Sequence, residues 1–95
     1  MEALKKYKES VADFVKNIEA TNKINDYTKK WRLYRFAKDY GRILQDGLAD
    51  GEEKKATYLA YKYLLWSDAT KSIRFDQYSR LILNTIEMVE KSMEG

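Results

Sequence analysis

The pattern of the chain predicts an all-α fold, an antiparallel up-down four-helix bundle. Three observations lead there. Apolar residues recur at steps of three and four along nearly the whole length, the period of a helix with one buried face. The 95 residues include no proline and only four glycines, so little interrupts a helix. The stretches where the pattern lapses are short, and short connections join antiparallel neighbours. A chain of this length makes one domain. The helices are expected over about 2–19, 26–48, 52–70 and 76–93 of that single 1–95 domain.

In the first helix Leu4, Tyr7, Val11, Phe14, Val15 and Ile18 form one uninterrupted stripe. Residues 20–23 then lose the pattern. Asn25 or Asp26 can each cap the second helix. Leu33, Phe36, Ala37, Tyr40, Ile43 and Leu44 share one of its faces, and Gly41 beside them lets another helix approach closely. Gly47 and Gly51 punctuate its exit. Asp50-Gly51-Glu52-Glu53 reads as a capping box for the third helix, with the acid three places on. That helix has two apolar stripes. Ala56, Leu59, Ala60, Tyr63, Leu64 and Ser67 make one, and Tyr58, Tyr61, Leu65 and Ala69 make the other. The fourth helix begins near Asp76 as its N-cap. Tyr78, Leu81, Ile82, Thr85, Ile86, Val89 and Met93 form its expected buried stripe.

Composition removes several function classes. There is no cysteine, hence no disulfide, thiolate zinc site or cysteine nucleophile. There is no histidine, which removes the commonest general base and metal ligand. Carboxylates are plentiful but lie on polar faces. Adjacent Glu52 and Glu53 read as first-turn acids favoured by the helix dipole. No glycine-rich loop is present to cradle a phosphate. The expectation is a protein that is not an enzyme and uses no metal or cofactor. Nothing resembles a secretory signal or an apolar run of membrane-spanning length, so a cytoplasmic location is expected. The net charge of +3 does not by itself imply a nucleic-acid partner.

Binding leaves clearer traces. Lys29, Lys30, Arg32, Arg35, Lys38 and Arg42 are opposed only by Asp39, a net +5 over residues 29–42. On the helical wheel Trp31 lies nearly opposite Tyr40, and Arg35, Lys38 and Arg42 share its outer side. A tryptophan among cations suits the headgroup level of an anionic membrane surface. It also suits single-stranded nucleic acid. The plainer reading packs Trp31 and Tyr34 against one end of the bundle and leaves the charges solvated. Tyr58, Tyr61, Tyr63 and Trp66 are more aromatics than one core face holds. They either bury two faces of a central helix or form an interface, such as a dimer contact.

The segment from Tyr63 to Tyr78 adds a resemblance. Tyr63-Leu64-Leu65-Trp66-Ser67, then Thr70, then Ile73-Arg74-Phe75-Asp76-Gln77-Tyr78, is similar to the C-terminal half of the immunity proteins against pediocin-like (class IIa) bacteriocins. Upstream, Leu33, Tyr34, Phe36, Ala37, Tyr40 and Leu44 match the family's apolar pattern, so the likeness covers about residues 33 to 93. Trp31 is not part of that pattern. The resemblance implies a four-helix protein that protects a cell from these toxins. It implies action from the cytoplasmic side on the mannose phosphotransferase permease with bound bacteriocin, and specificity in the C-terminal half. In this chain that half is helix three, the 67–75 turn and helix four. Its expected contact residues are Arg74, Gln77, Arg80 and Asn84. Trp31, Arg35, Lys38 and Arg42 are a second candidate surface, for anionic lipid headgroups, which would place the protein peripherally at the inner face of the membrane. The alternative is a small helical regulator binding nucleic acid through the basic second helix. The helix lacks a recognisable helix-turn-helix partner, and no nucleic-acid partner is expected.

Overall fold

The computed structural model describes residues 2–62, 64, 66 and 72–94. Among them are four α-helices and no strand: α1 (Glu2–Glu19), α2 (Asp26–Asp46), α3 (Glu52–Lys62) and α4 (Phe75–Glu94). The expected stripe of α1 faces the core. Leu4, Tyr7 and Val11 are fully buried, Val15 and Ile18 nearly so, and Phe14 packs at the margin.

The helix starts differ from expectation in instructive ways. Asn25 caps α2, its side-chain oxygen accepting from Thr28 N–H at 2.8 Å. Asp26, the other candidate, sits in the first turn. The capping box before α3 does not close on itself. Glu53 instead accepts the Ala3 N–H at 2.7 Å, tying the start of α3 to the start of α1. Gly51 makes that turn with φ of 153°, a conformation suited to glycine. Asp76 does not cap α4 either. The helix opens at Phe75, so Arg74 is its cap, and Gln77 reaches back to accept the Arg74 N–H at 3.1 Å. That is the reciprocal half of a capping box.

The expected end of the third helix is also corrected. Among the described residues it ends at Lys62, and Leu64 and Trp66 are not helical. The expectations for Tyr63, Leu65, Ser67 and Ala69 fall outside the described residues. Leu64 N–H still bonds back to the Tyr61 carbonyl at 3.1 Å, and α2 holds Leu64 and Trp66 from the other side. Lys38 donates to the Leu64 carbonyl at 2.9 Å, and Trp66 sits among rings of α2.

Aromatic rings fill the joint between α1 and α2. Phe14 stacks on Phe36 with centroids 4.4 Å apart, and Phe36 stacks on Tyr40. Fully buried Tyr7 donates its hydroxyl proton to the Ala37 carbonyl at 2.6 Å. Between α2 and α3 the packing is closer. A methyl group at Gly41 would meet three carbons of Tyr61 within 3 Å, Cβ among them. Lys8 pairs with Glu90 at 2.9 Å, joining α1 to α4.

Two residues expected in the core are exposed. Ile43 is 66% exposed, at the rim of a cleft between the first turn of α1 and the last turn of α2. Leu81 is 52% exposed. The bundle covers the Tyr78, Ile82 and Ile86 side of α4, and Leu81 lies about 100° away from Ile82.

Two stability predictions follow from this packing. Gly41→Ala gains about 1 kcal/mol of helix propensity but overpacks against the root of Tyr61, at a cost of about 1–3 kcal/mol. A net loss is expected in urea unfolding, and Tyr61→Ala in the same chain should relieve only the part of the clash that comes from the ring, because alanine keeps the Cβ that the new methyl meets. The phenols form the second case. Burial first, and neighbouring charges second, push Tyr7, Tyr61 and Tyr78 above the usual 10.0. The unfolded phenols ionise near that value while the folded ones stay protonated. Their contribution is therefore intact below about pH 10 and drains away as pH rises further. The Tyr78 hydroxyl is buried and has no hydrogen-bond partner among the described residues. Tyr78→Phe should leave stability unchanged or raise it by up to about 1 kcal/mol, whereas Tyr7→Phe should lose about 1 kcal/mol. Urea titrations at pH 8 and pH 11 measure both effects.

Candidate functional site

The sequence singled out two groups of residues, and each forms a surface. The first runs along the outer side of α2. Tyr27, Trp31, Tyr34, Arg35, Lys38 and Arg42 fall on one stripe. Trp31 is 38% exposed and Tyr27 is 53% exposed. Trp31 stacks with Tyr34 at 5.6 Å, and the Arg35 guanidinium lies 5.9 Å from its ring centre. Trp66, arriving from beyond α3, meets Trp31 edge-on at 5.3 Å and Tyr27 edge-on at 5.6 Å. Tyr34 and Tyr78 complete its surroundings at 5.7 and 6.1 Å. Trp31 thus packs against Trp66, beyond α3, and keeps an exposed edge.

The six cations of α2 do not act alike. Lys30 is only 3% exposed. Its ammonium donates to the Ile73 carbonyl and lies 3.8 Å from Asp26. The other carboxylate oxygen of Asp26 accepts the Phe75 N–H at 2.9 Å. One turn of α2 therefore holds the backbone on both sides of Arg74. Lys38 is half-buried, bound to the Leu64 carbonyl and placed over the Tyr34 ring. Arg35 and Arg42 remain exposed and share the single carboxylate of Asp39, at 3.7 and 3.3 Å. A helix presenting six outward cations is not what forms.

The second surface is the outer face of α4. Arg74, Gln77, Arg80 and Asn84 are all exposed. Gln77 is engaged in the cap, and Arg80 folds back on Asp76, 3.6 Å from its carboxylate. Leu81 and Met88, seven residues apart and so nearly on one line, join them, with Met88 71% exposed. Sequence reasoning assigned Leu81 to the core and passed over Met88. The spacing of that pair against Tyr78, Ile82 and Ile86 was the signal that could have separated the two faces.

Lys8 has a raised pKa, first from its hydrogen bond to Glu90, but it sits on neither surface. The raised phenols keep their protons at neutral pH. Among the described residues no group of three or more acidic side chains is placed to hold a metal ion. No described helix is long and apolar enough to cross a membrane. What these surfaces offer is ring edges and two guanidiniums sharing one acid on α2, and two arginines beside exposed Leu81 and Met88 on α4. Comparison with known protein families, curated proteins and solved structures finds no match to the chain.

The clamp on residues 73–75 is open to test. Lys30→Met keeps the buried stem and removes the donor, leaving the Ile73 carbonyl unpaired. A loss of about 1.5–3 kcal/mol is expected, since the bond is charge-assisted. Asp26→Asn keeps an acceptor for Phe75 N–H and gives up a partly exposed ion pair, so it should cost less than about 1 kcal/mol. Equal losses in urea unfolding would show that charge, not the geometry of the clamp, holds the segment.

Proposed function

We propose that the chain protects a cell from pediocin-like bacteriocins by binding, from the cytoplasmic side, the mannose phosphotransferase permease with bound toxin. One observation carries the reading. The Ile73-Arg74-Phe75-x-x-Tyr78 block, the most specific part of the resemblance, divides between two tasks. Phe75 and Tyr78 are buried, at 4% and 2% exposure, while Arg74 just before them is exposed beside the outer row of α4. A block that only closed the fold would not need an outward arginine there.

The reading includes the antiparallel up-down arrangement of the helices, which cross-helix contacts support. Phe14 meets Phe36 and Ser10 meets Tyr40, so α1 and α2 run in opposite senses. Gln45 meets Tyr61 while Lys38 meets Leu64 just past α3, contacts that favour opposite senses for α2 and α3 as well. Lys8 near the start of α1 meets Glu90 near the end of α4. The extents of 41 × 23 × 20 Å suit helices two deep in each short direction.

In this reading Arg74, Arg80, Leu81, Asn84 and Met88 form the docking face. Two apolar side chains beside two arginines, one of them paired with Asp76, fit a protein partner. The test is survival of a sensitive Gram-positive strain expressing the chain and challenged with a panel of pediocin-like toxins. Protection against a subset is expected. Arg74→Glu with Asn84→Asp should abolish it while leaving helicity and unfolding midpoint unchanged. Sensitivity to every toxin, with the folded protein detected in the cells, would overturn the reading.

A further inference from the structure

We propose that the outer stripe of α2, with Tyr27, Trp31, Arg35 and Arg42 at its centre, docks on an anionic lipid bilayer surface. The inference does not rest on the immunity reading, because it concerns a different helix and needs no toxin.

The argument begins with the rings. Tyr27, Trp31 and Trp66 meet one another at the surface, and the first two are well exposed. An aromatic body with a polar tip is the form that settles at headgroup level, where one side is apolar and the other wet. The cations follow on the same stripe. From Tyr27 to Arg42 is about 22 Å along the helix at 1.5 Å per residue. Over that length Arg35 and Arg42 face outward against one acid, Asp39. Complementarity to a negatively charged leaflet is therefore built into the same row as the rings.

Single-stranded nucleic acid would use similar residue types, and the geometry disfavours it. Stacking platforms need open ring faces. Trp31 is already stacked with Tyr34, carries the Arg35 guanidinium, and takes the edge of Trp66. A base would compete with those neighbours, whereas a headgroup region needs only the exposed ring edge. Lys38, the most central cation of the stripe, is bound to the Leu64 carbonyl, so it supports the aromatic cluster instead of reaching outward.

The test is co-sedimentation of the purified chain with vesicles of phosphatidylcholine, alone or mixed with phosphatidylglycerol, at low and at 0.5 M salt. Tryptophan emission is read in parallel. Binding to the mixed vesicles at low salt is expected, with a blue-shifted emission and weakening at high salt. Arg35→Gln with Arg42→Gln should lower the partition coefficient about tenfold or more. Trp31→Ala should lower it further and remove most of the emission shift. Lys16→Gln, exposed on α1 and outside both surfaces, should change nothing. Circular dichroism and unfolding midpoints establish that each variant is folded. Absence of binding at low salt would overturn the proposal. So would binding indifferent to both the arginine pair and Trp31. Displacement of the chain from vesicles by an equal mass of single-stranded DNA would overturn it in favour of the nucleic-acid partner.

Discussion

Two side chains one turn apart hold the second half of this protein to the first. Asp26 accepts the Phe75 N–H and Lys30 donates to the Ile73 carbonyl. Phe75 begins α4, so the clamp sets where that helix starts and which way its stripe faces. It also meets the need of a helix start for acceptors of its first N–H groups. The sequence places a lysine there among five other cations, and nothing in its neighbours marks it as buried. Its long apolar stem lets the ammonium reach a carbonyl across the joint while the methylenes stay in the core. The pair is close enough to compensate the burial of a charge, which is costly when a partner is missing.

The same logic recurs wherever polar groups are enclosed. Glu53 satisfies the Ala3 N–H, Lys38 the Leu64 carbonyl, Tyr7 the Ala37 carbonyl. Each bond joins segments far apart in the chain, so each orients one against another as well as satisfying a polar group. Thr57 and Ser79, buried without an interhelical partner, bond back to their own helix at Glu53 and Asp76. Tyr78 is the exception, its hydroxyl unpaired beneath Trp66. In a chain without histidine or cysteine, these tyrosines and lysines do the interhelical work.

What was legible in the sequence was periodic. The four helices and the stripes of α1 and α4 can be read from spacing, because spacing determines which residues share a face. How wide a face the neighbours cover is set by packing and leaves no periodic trace. Leu81 belongs to the apolar half of α4 by spacing, yet no helix lies over it. Ile43 lies beyond the start of α1. The end of α3 was misplaced for a related reason. Apolar spacing continues past Lys62, but Leu64 and Trp66 are held by α2 side chains, a tertiary constraint that overrides local propensity. Caps were misread where a long-range partner competed. Glu53 could close a local box and instead meets Ala3. Of the candidate site residues, exposure on α4 was legible. The division of labour among the α2 cations was not, since it depends on which of them faces α3 and α4.

Trp31 is where packing and exposure part company. Trp66 is already enclosed by Tyr27, Tyr34 and Tyr78. An aliphatic side chain at position 31 would close the remaining side and expose less apolar surface. A tryptophan instead adds a ring that the core does not need in full and presents it next to exposed Tyr27. Single exposed apolar residues are ordinary on a folded surface. Clustered rings beside guanidiniums are less so, because contiguous apolar surface favours association. The Arg35 guanidinium over Trp31 shields part of the ring and keeps a positive charge at its rim. The cluster is thus stable in water and still carries the two features, ring edge and cation, that a charged lipid interface engages together. Its outer half is larger than folding requires, and that excess is what sets it apart from the rest of the bundle's surface.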